Sequence, residues 1–177
     1  MNKFVIFSCL LLLVSCGKSD SSISTSPFSG EGFSIDIPKT WIPVDKAALP
    51  STTNGTIALA LTSTEIVSGY SNNMSIIKEK LTEAISSKKY SVVNYALTTS
   101  AYKDFVKLDE KVVAFGDKDE SNLYIFEAKY NTDTPKQKFV QTAKVCKDTV
   151  YLITFGLGLT TGSVSKYEDL VKTFACK

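Results

Sequence analysis

The sequence predicts an α+β domain built on an antiparallel β-sheet sandwiched by helices. Three observations carry that expectation. Runs with alternating apolar residues recur along the chain, two stretches with helical spacing stand apart from them, and the last strand-like runs are joined by connections too short for parallel crossovers. Of the 177 residues, 44% are hydrophobic and 21% charged, ordinary proportions for a globular protein. A chain of this length forms one domain once a leader and linker are set aside, and buries roughly 70% of its unfolded surface.

Taken in order, "GFSIDIP" (32–38) puts Phe33, Ile35 and Ile37 on one face of a strand that Pro38 ends. Trp41 follows in a turn. "TIALALT" (56–62) reads as a second strand and "NMSIIKEKL" (73–81) as a third. Positions 86–101 have helical spacing, with Tyr90, Val93, Leu97 and Ala101 along one side. Four strands follow, at 105–116, 122–131, 137–146 and 149–155, the last two joined by a tight hairpin at Lys147-Asp148. In 122–131, Tyr124, Phe126, Ala128 and Tyr130 oppose Leu123 and Ile125. In 149–155, Tyr151, Ile153 and Phe155 oppose Val150 and Leu152. Apolar residues on both faces mean that both faces of the sheet are covered. A final helix at about 163–175 carries Val164, Tyr167, Val171 and Phe174 on one stripe.

The net charge is +2, every basic residue is a lysine, and there is no histidine. Without imidazole, Ser–His–Asp, Cys–His and His-ligated zinc sites cannot be assembled within the chain. Without guanidinium and with near-neutral charge, a nucleic-acid partner is not expected.

The chain opens with Lys3 and the apolar run Phe4–Ser15. At about 18 Å as a helix, this run is shorter than the ~30 Å hydrocarbon core and has the size of a signal-peptide segment. It ends in Leu13-Val14-Ser15-Cys16, which resembles the bacterial lipobox. The resemblance implies that residues 1–15 are a lipoprotein signal peptide, and that the Cys16 thiol receives a diacylglycerol before cleavage ahead of it. The freed amino group is then open to acylation, and two or three chains anchor a protein stably to a membrane. Gly17, where the inner-membrane retention pattern has Asp, permits outer-membrane sorting. Residues 16–30, rich in Ser and Thr, read as a flexible tether because they bury too little apolar surface to offset ordering entropy. Residues 31–177 form the globular domain.

The opening "GFSIDIPKTW" resembles the Phe-x-x-x-x-Pro-x-x-Trp of PsbP-like domains, through Phe33, Pro38 and Trp41. The tail "KVCKDTVYLITFGLGLTTGSVSKYEDLVKTF" resembles their closing hairpin and helix. The resemblance implies a PsbP-like α/β/α arrangement and an accessory or binding role instead of catalysis. The metal-related function of such proteins has been tied to residues including His, which this chain lacks, so no site is carried over. Pro38, Trp41 and Phe174 read as core; a small aromatic recognition patch is the alternative.

Four cysteines are present. Cys9 leaves with the signal peptide and Cys16 carries lipid, which leaves Cys146 and Cys176. Outside the cytoplasm such a pair reads as a disulfide pinning the last helix to the sheet. Free thiols and a redox-active pair are the alternatives. "GLGLTTGS" (156–163) has glycines at 156, 158 and 162, one position off the dinucleotide fingerprint, and reads as a sharp strand-to-helix exit with Ser163 as a cap. "GDKDES" (116–121) alternates oxygen ligands from Asp117 and Asp119. Counted from Asp117, however, the calcium-loop positions that need Gly and Glu are Asn122 and Ala128, so the segment reads as a solvated turn. Ser-x-x-Lys spacing at Ser75/Lys78 and Ser100/Lys103 is expected by chance in so Ser- and Lys-rich a chain. No catalytic, cofactor or metal residue is assigned. The expected protein is a non-catalytic binding or assembly module, lipid-anchored on the outer side of a membrane, with the membrane and an envelope protein as partners. A structural envelope lipoprotein and an enzyme are the alternatives.

Overall fold

A seven-stranded sheet with aromatic residues on both faces forms the centre of the molecule. The computed structural model describes residues 23–177 apart from positions 53 and 68. In chain order the elements are β1 (Thr25–Gly30), β2 (Phe33–Pro38), β3 (Trp41–Pro43), β4 (Thr56–Val67), β5 (Tyr70–Lys80), α1 (Ser87–Ala101), β6 (Lys103–Ala114), β7 (Glu120–Lys129), β8 (Gln137–Cys146), β9 (Thr149–Leu157), α2 (Ser165–Lys172) and β10 (Ala175–Cys176). The main sheet has the order β3-β4-β5-β9-β8-β7-β6, and a small sheet has the order β1-β2-β10. Every pairing is antiparallel.

One face of the main sheet is covered by the small sheet and α2. Phe33 of β2 stacks on Phe174 with ring centroids 5.3 Å apart, and Trp41 packs between Phe155 and Tyr167. Tyr167, Leu170, Val171 and Phe174 are all buried, so the expected stripe of the last helix faces the core. Pro38 is buried with them. The helix proper begins at Ser165, and the Ser163 hydroxyl accepts the Ser165 amide at 3.2 Å.

The other face is covered by α1. Tyr95 stacks on Tyr124 at 3.8 Å, and Phe126 lies between Phe105 and Phe139. Here the helix face differs from the expected one. Leu97 is 61% exposed and Val93 half-exposed, while Ser87, Ser91 and Thr98 are buried. The reason lies in the sheet beneath. The Gln141 side chain and the Asn122 backbone N–H need hydrogen-bond partners once covered. Asn94 donates to Gln141 Oε1 at 3.1 Å, Gln141 donates on to Thr154 at 3.0 Å, and the Asn122 amide donates to Ser91 at 3.2 Å. Pairing these groups turns the hydroxyls of α1 inward and its valines outward.

Residues 25–30, expected in the tether, form β1. The strand covers the free edge of β2 over six residue pairs, and Phe28 packs 6.0 Å from Phe33, so a short apolar contribution suffices where a ready-made edge offers hydrogen bonds. The expected signal peptide (1–15) and the earlier part of the expected tether lie outside the described residues.

The register gives the molecule two ends. At the near end lie the β4–β5 hairpin, the exit of β9 beside Lys138, and the loop after β7. The chain reaches β1 at this end, where the Lys39 amide donates to the Ser24 carbonyl at 3.0 Å and the Thr64 amide donates to the Thr40 carbonyl at 3.3 Å. At the far end lie the turns at Glu31–Gly32, Asp117–Asp119 and Lys147–Asp148.

Candidate functional site

At the far end, the β1–β2 turn bends over the ends of β4, β5 and β9. Gly32 makes this possible: its φ of +80° is left-handed, and a Cβ there would collide with the Tyr151 hydroxyl. Gly55, with φ +76°, brings bare backbone against the Lys78 carbonyl in the same way. Between them opens a cleft of about 560 Å³ lined by charged side chains of β5. Lys78 donates to Glu31 at 2.6 Å, Lys80 pairs with Asp148, and the Tyr151 hydroxyl donates to the Glu31 carbonyl at 3.2 Å. The hydrogen bond and charge of Lys78 hold the Glu31 carboxyl below the usual carboxylate range, and Lys80 does the same for Asp148. Burial pushes the Tyr151 hydroxyl up. On the opposite side of β5, the Tyr90 hydroxyl donates to Glu79 at 2.8 Å and titrates well above a free tyrosine, through burial first and that carboxylate second.

The cleft's charges therefore stand as ammonium–carboxylate pairs at neutral pH. Solvent-exposed pairs of this kind contribute about 0–1 kcal/mol each. A partner's carboxylate or ammonium can exchange into them at low cost. The space a Cβ would need at Gly32 and Gly55 is already taken by the Tyr151 hydroxyl and the Lys78 carbonyl, so these glycines bring the cleft's own walls together.

A second polar cluster lies behind the cleft. Lys144 of β8 is 2% exposed and donates to Asp117 at 2.7 Å and Asp119 at 2.8 Å. Asp119 also accepts the Ser87 hydroxyl at 2.5 Å, and Ser87 accepts the Val145 amide at 2.8 Å. The two acids of "GDKDES" thus hold a buried lysine, a tighter role than the solvated turn expected of them. Lys144 left a trace in the sequence as a lysine in a strand covered on both faces, with two acids two positions apart in a neighbouring turn. Which residues meet at the cleft left none, because Glu31, Gly55, Lys78 and Tyr151 come from four separate segments.

The remaining sequence candidates separate in space. Cys146 and Cys176 are joined in a disulfide, with Cα atoms 5.6 Å apart. Cys16 lies outside the described residues. Of the glycines at 156, 158 and 162, Gly156 serves packing, since a Cβ there would meet the Asn73 amide group; the Gly158 amide donates to Asn72 at 2.9 Å, and Gly162 has open space around it. Lys78 is engaged with Glu31, across the strand from any approach to Ser75. Among the described residues no three carboxylate or thiol groups gather at one point, and no helix is long and apolar enough to cross a membrane.

No protein family and no curated protein matches the chain in sequence. Solved structures do match its shape. The solution structure of cyanobacterial PsbP (CyanoP) from Synechocystis superposes with a TM-score of 0.60 at 13% identity, covering 93% of this chain and 99% of that one. The fold is PsbP-like. A crystal structure from Bacteroides thetaiotaomicron is similar with a TM-score of 0.47 at 11% identity over 82% of this chain and 45% of that one. In this PsbP-like fold the opening Phe33, Pro38 and Trp41 and the closing Phe174 are packing residues of one core face.

Proposed function

We propose that this protein is a lipid-anchored, extracytoplasmic binding or assembly module that performs no catalysis, and that its far-end cleft receives a protein partner in the cell envelope. The observation that carries the reading is the separation of Ser24, where the chain from Cys16 joins the domain, from the cleft at the opposite end of the strands. A module tethered at one end presents the other. The Cys146–Cys176 disulfide supports an oxidising compartment. The accessory role implied by the PsbP resemblance fits a cleft of exchangeable ion pairs.

Acyl labelling and membrane fractionation of the parent and of Cys16→Ala test the anchor. The parent takes up label and stays with membranes, and the variant does neither. A fully membrane-bound Cys16→Ala beside an unlabelled parent overturns the anchor. In-cell crosslinking tests the partner: the double variant Lys78→Glu, Lys80→Glu keeps its label and loses the crosslinked protein. Absence of any reproducible crosslink in the parent favours a purely structural lipoprotein.

A further inference from the structure

We infer that the far-end cleft recognises an extended, acidic segment of its partner, whose alternate carboxylates pair with Lys78 and Lys80 in place of Glu31 and Asp148. This rests on the reading of the cleft as a partner site and assigns the chemistry of what enters it.

The cleft contains one arrangement twice. On the face of β5 that opens into it, Lys78 lies opposite Tyr151 of β9 and Lys80 lies opposite Thr149. Each ammonium therefore has a hydroxyl-bearing residue directly across the ladder, and a carboxylate brought in by a turn: Glu31 for Lys78 and Asp148 for Lys80. As alternate residues of one strand, the two lysines are set about 6.7 Å apart. An extended polypeptide carries its own alternate side chains on one face at the same spacing. Two acidic side chains separated by one residue thus meet both ammonium groups, whereas two adjacent ones point to opposite faces. The intervening Glu79 is engaged elsewhere, accepting the Tyr90 hydroxyl of α1 on the other side of β5.

The sign of the partner's charge follows from which half of a pair can leave. The Lys78 side chain is 32% exposed, whereas that of Glu31, in the β1–β2 turn, is 87% exposed. When this pair opens, Glu31 passes into water that already surrounds it, and the more covered Lys78 ammonium stays in the cleft in need of an anion. A basic segment would draw the acids away and leave that ammonium without a countercharge, which costs more the further it is withdrawn from water. The Lys80–Asp148 pair is open to water on both sides, so the discrimination is set at Lys78. Glu31 and Asp148 accordingly serve as built-in stand-ins for the partner's carboxylates, holding the two lysines until the partner arrives.

Fluorescence anisotropy of rhodamine-labelled, end-blocked peptides tests this against the full-length protein in neutral detergent at low ionic strength. The peptide TTTETETTT carries its glutamates at alternate positions, TTTEETTTT has the same composition with the glutamates adjacent, and TTTKTKTTT is the basic counterpart. The alternating acidic peptide is expected to bind about threefold or more tighter than its isomer, and the basic peptide not to bind. Lys78→Gln with Lys80→Gln abolishes that binding and Lys78→Arg with Lys80→Arg retains it. Glu31→Gln with Asp148→Asn removes the internal competitors and tightens it about two- to fivefold. Equal affinity for the two acidic isomers, tighter binding of the basic peptide, or weaker acidic binding by the Glu31→Gln, Asp148→Asn variant overturns the inference. No binding of the alternating acidic peptide, beside a crosslink lost in Lys78→Glu, Lys80→Glu, removes the acidic segment and leaves the cleft as a partner site. A crosslink that survives that double variant overturns the cleft reading and this inference with it.

Discussion

Lys144 and Asp119 meet at 2.8 Å where strand β8 passes the N-terminus of α1, and the lysine is almost wholly withdrawn from water. Asp117 completes the pairing at 2.7 Å from the other side of the turn. The cluster ties together the β6–β7 turn, β8 and, through Ser87, the first turn of the helix. Removing both acids with Asp117→Asn and Asp119→Asn leaves a buried ammonium without countercharge and is expected to cost about 3–5 kcal/mol. Lys144→Met removes the ion that needed desolvation, leaves two partly hydrated carboxylates, and costs less. Urea unfolding of the two variants reads the order, and a less stable Lys144→Met contradicts it.

The same cluster predicts a response to acid. Hydrogen bonding to Lys144 holds the Asp117 carboxyl below the usual carboxylate range. A carboxyl with a depressed folded-state pKa contributes stability that is full above its unfolded value, near about 4, and is lost as pH falls through the lower folded value. Stability is thus flat in this respect from neutrality to about pH 5 and declines below about pH 4. Asp117→Asn should flatten that decline, as followed by circular dichroism in an acid titration; an unchanged acid limb removes Asp117 from the account.

Cys146 and Cys176 are 30 positions apart in the chain. Loop-closure entropy gives their bond a contribution of about 3.5 kcal/mol. Cys146→Ala with Cys176→Ala should lower the urea midpoint accordingly, and reduction of the parent should match it. Equal midpoints for oxidised and reduced parent refute the estimate.

Gly32→Ala should destabilise by about 1–3 kcal/mol, because alanine must take a left-handed backbone and its methyl meets the Tyr151 hydroxyl. The loss is expected to be accompanied by a shift in tyrosine fluorescence as Tyr151 moves. Gly69, also left-handed but with open space around it, should suffer only the backbone part.

For α1, Leu97→Ser should leave stability within about 0.5 kcal/mol, since the side chain faces water. Thr98→Val, which removes a buried hydroxyl 3.3 Å from Gln141, should cost about 1 kcal/mol. The opposite order would follow from an apolar inward face, and thermal unfolding of the pair distinguishes them.

That helix marks where local pattern stopped being a guide. The spacing of Tyr90, Val93, Leu97 and Ala101 identifies a helix correctly over 86–101, because backbone propensity and capping by Ser86 are local. Its rotation is set by Gln141 and Asn122, which come from strands distant in sequence and need hydrogen bonds under the helix. The strands at 137–146 and 149–155 were legible because alternation and a two-residue turn are local properties, whereas β1 was hidden in a Ser-rich stretch whose stability comes from the neighbouring edge of β2.

By itself the sequence determined the α+β class, the antiparallel hairpins, the inward stripe of the last helix and the chemistry that a chain with no histidine or arginine cannot perform. These follow from residue type and short-range spacing. The Cys146–Cys176 bond, expected from the two cysteines left after Cys9 and Cys16, is present in the structure. The tertiary structure alone decided that Asp117 and Asp119 close on Lys144, and that Glu31, Gly55, Lys78 and Tyr151 share one cleft. Each of those contacts joins segments whose separation along the chain carries no information about their distance in space until the sheet register is fixed by the burial of its two faces.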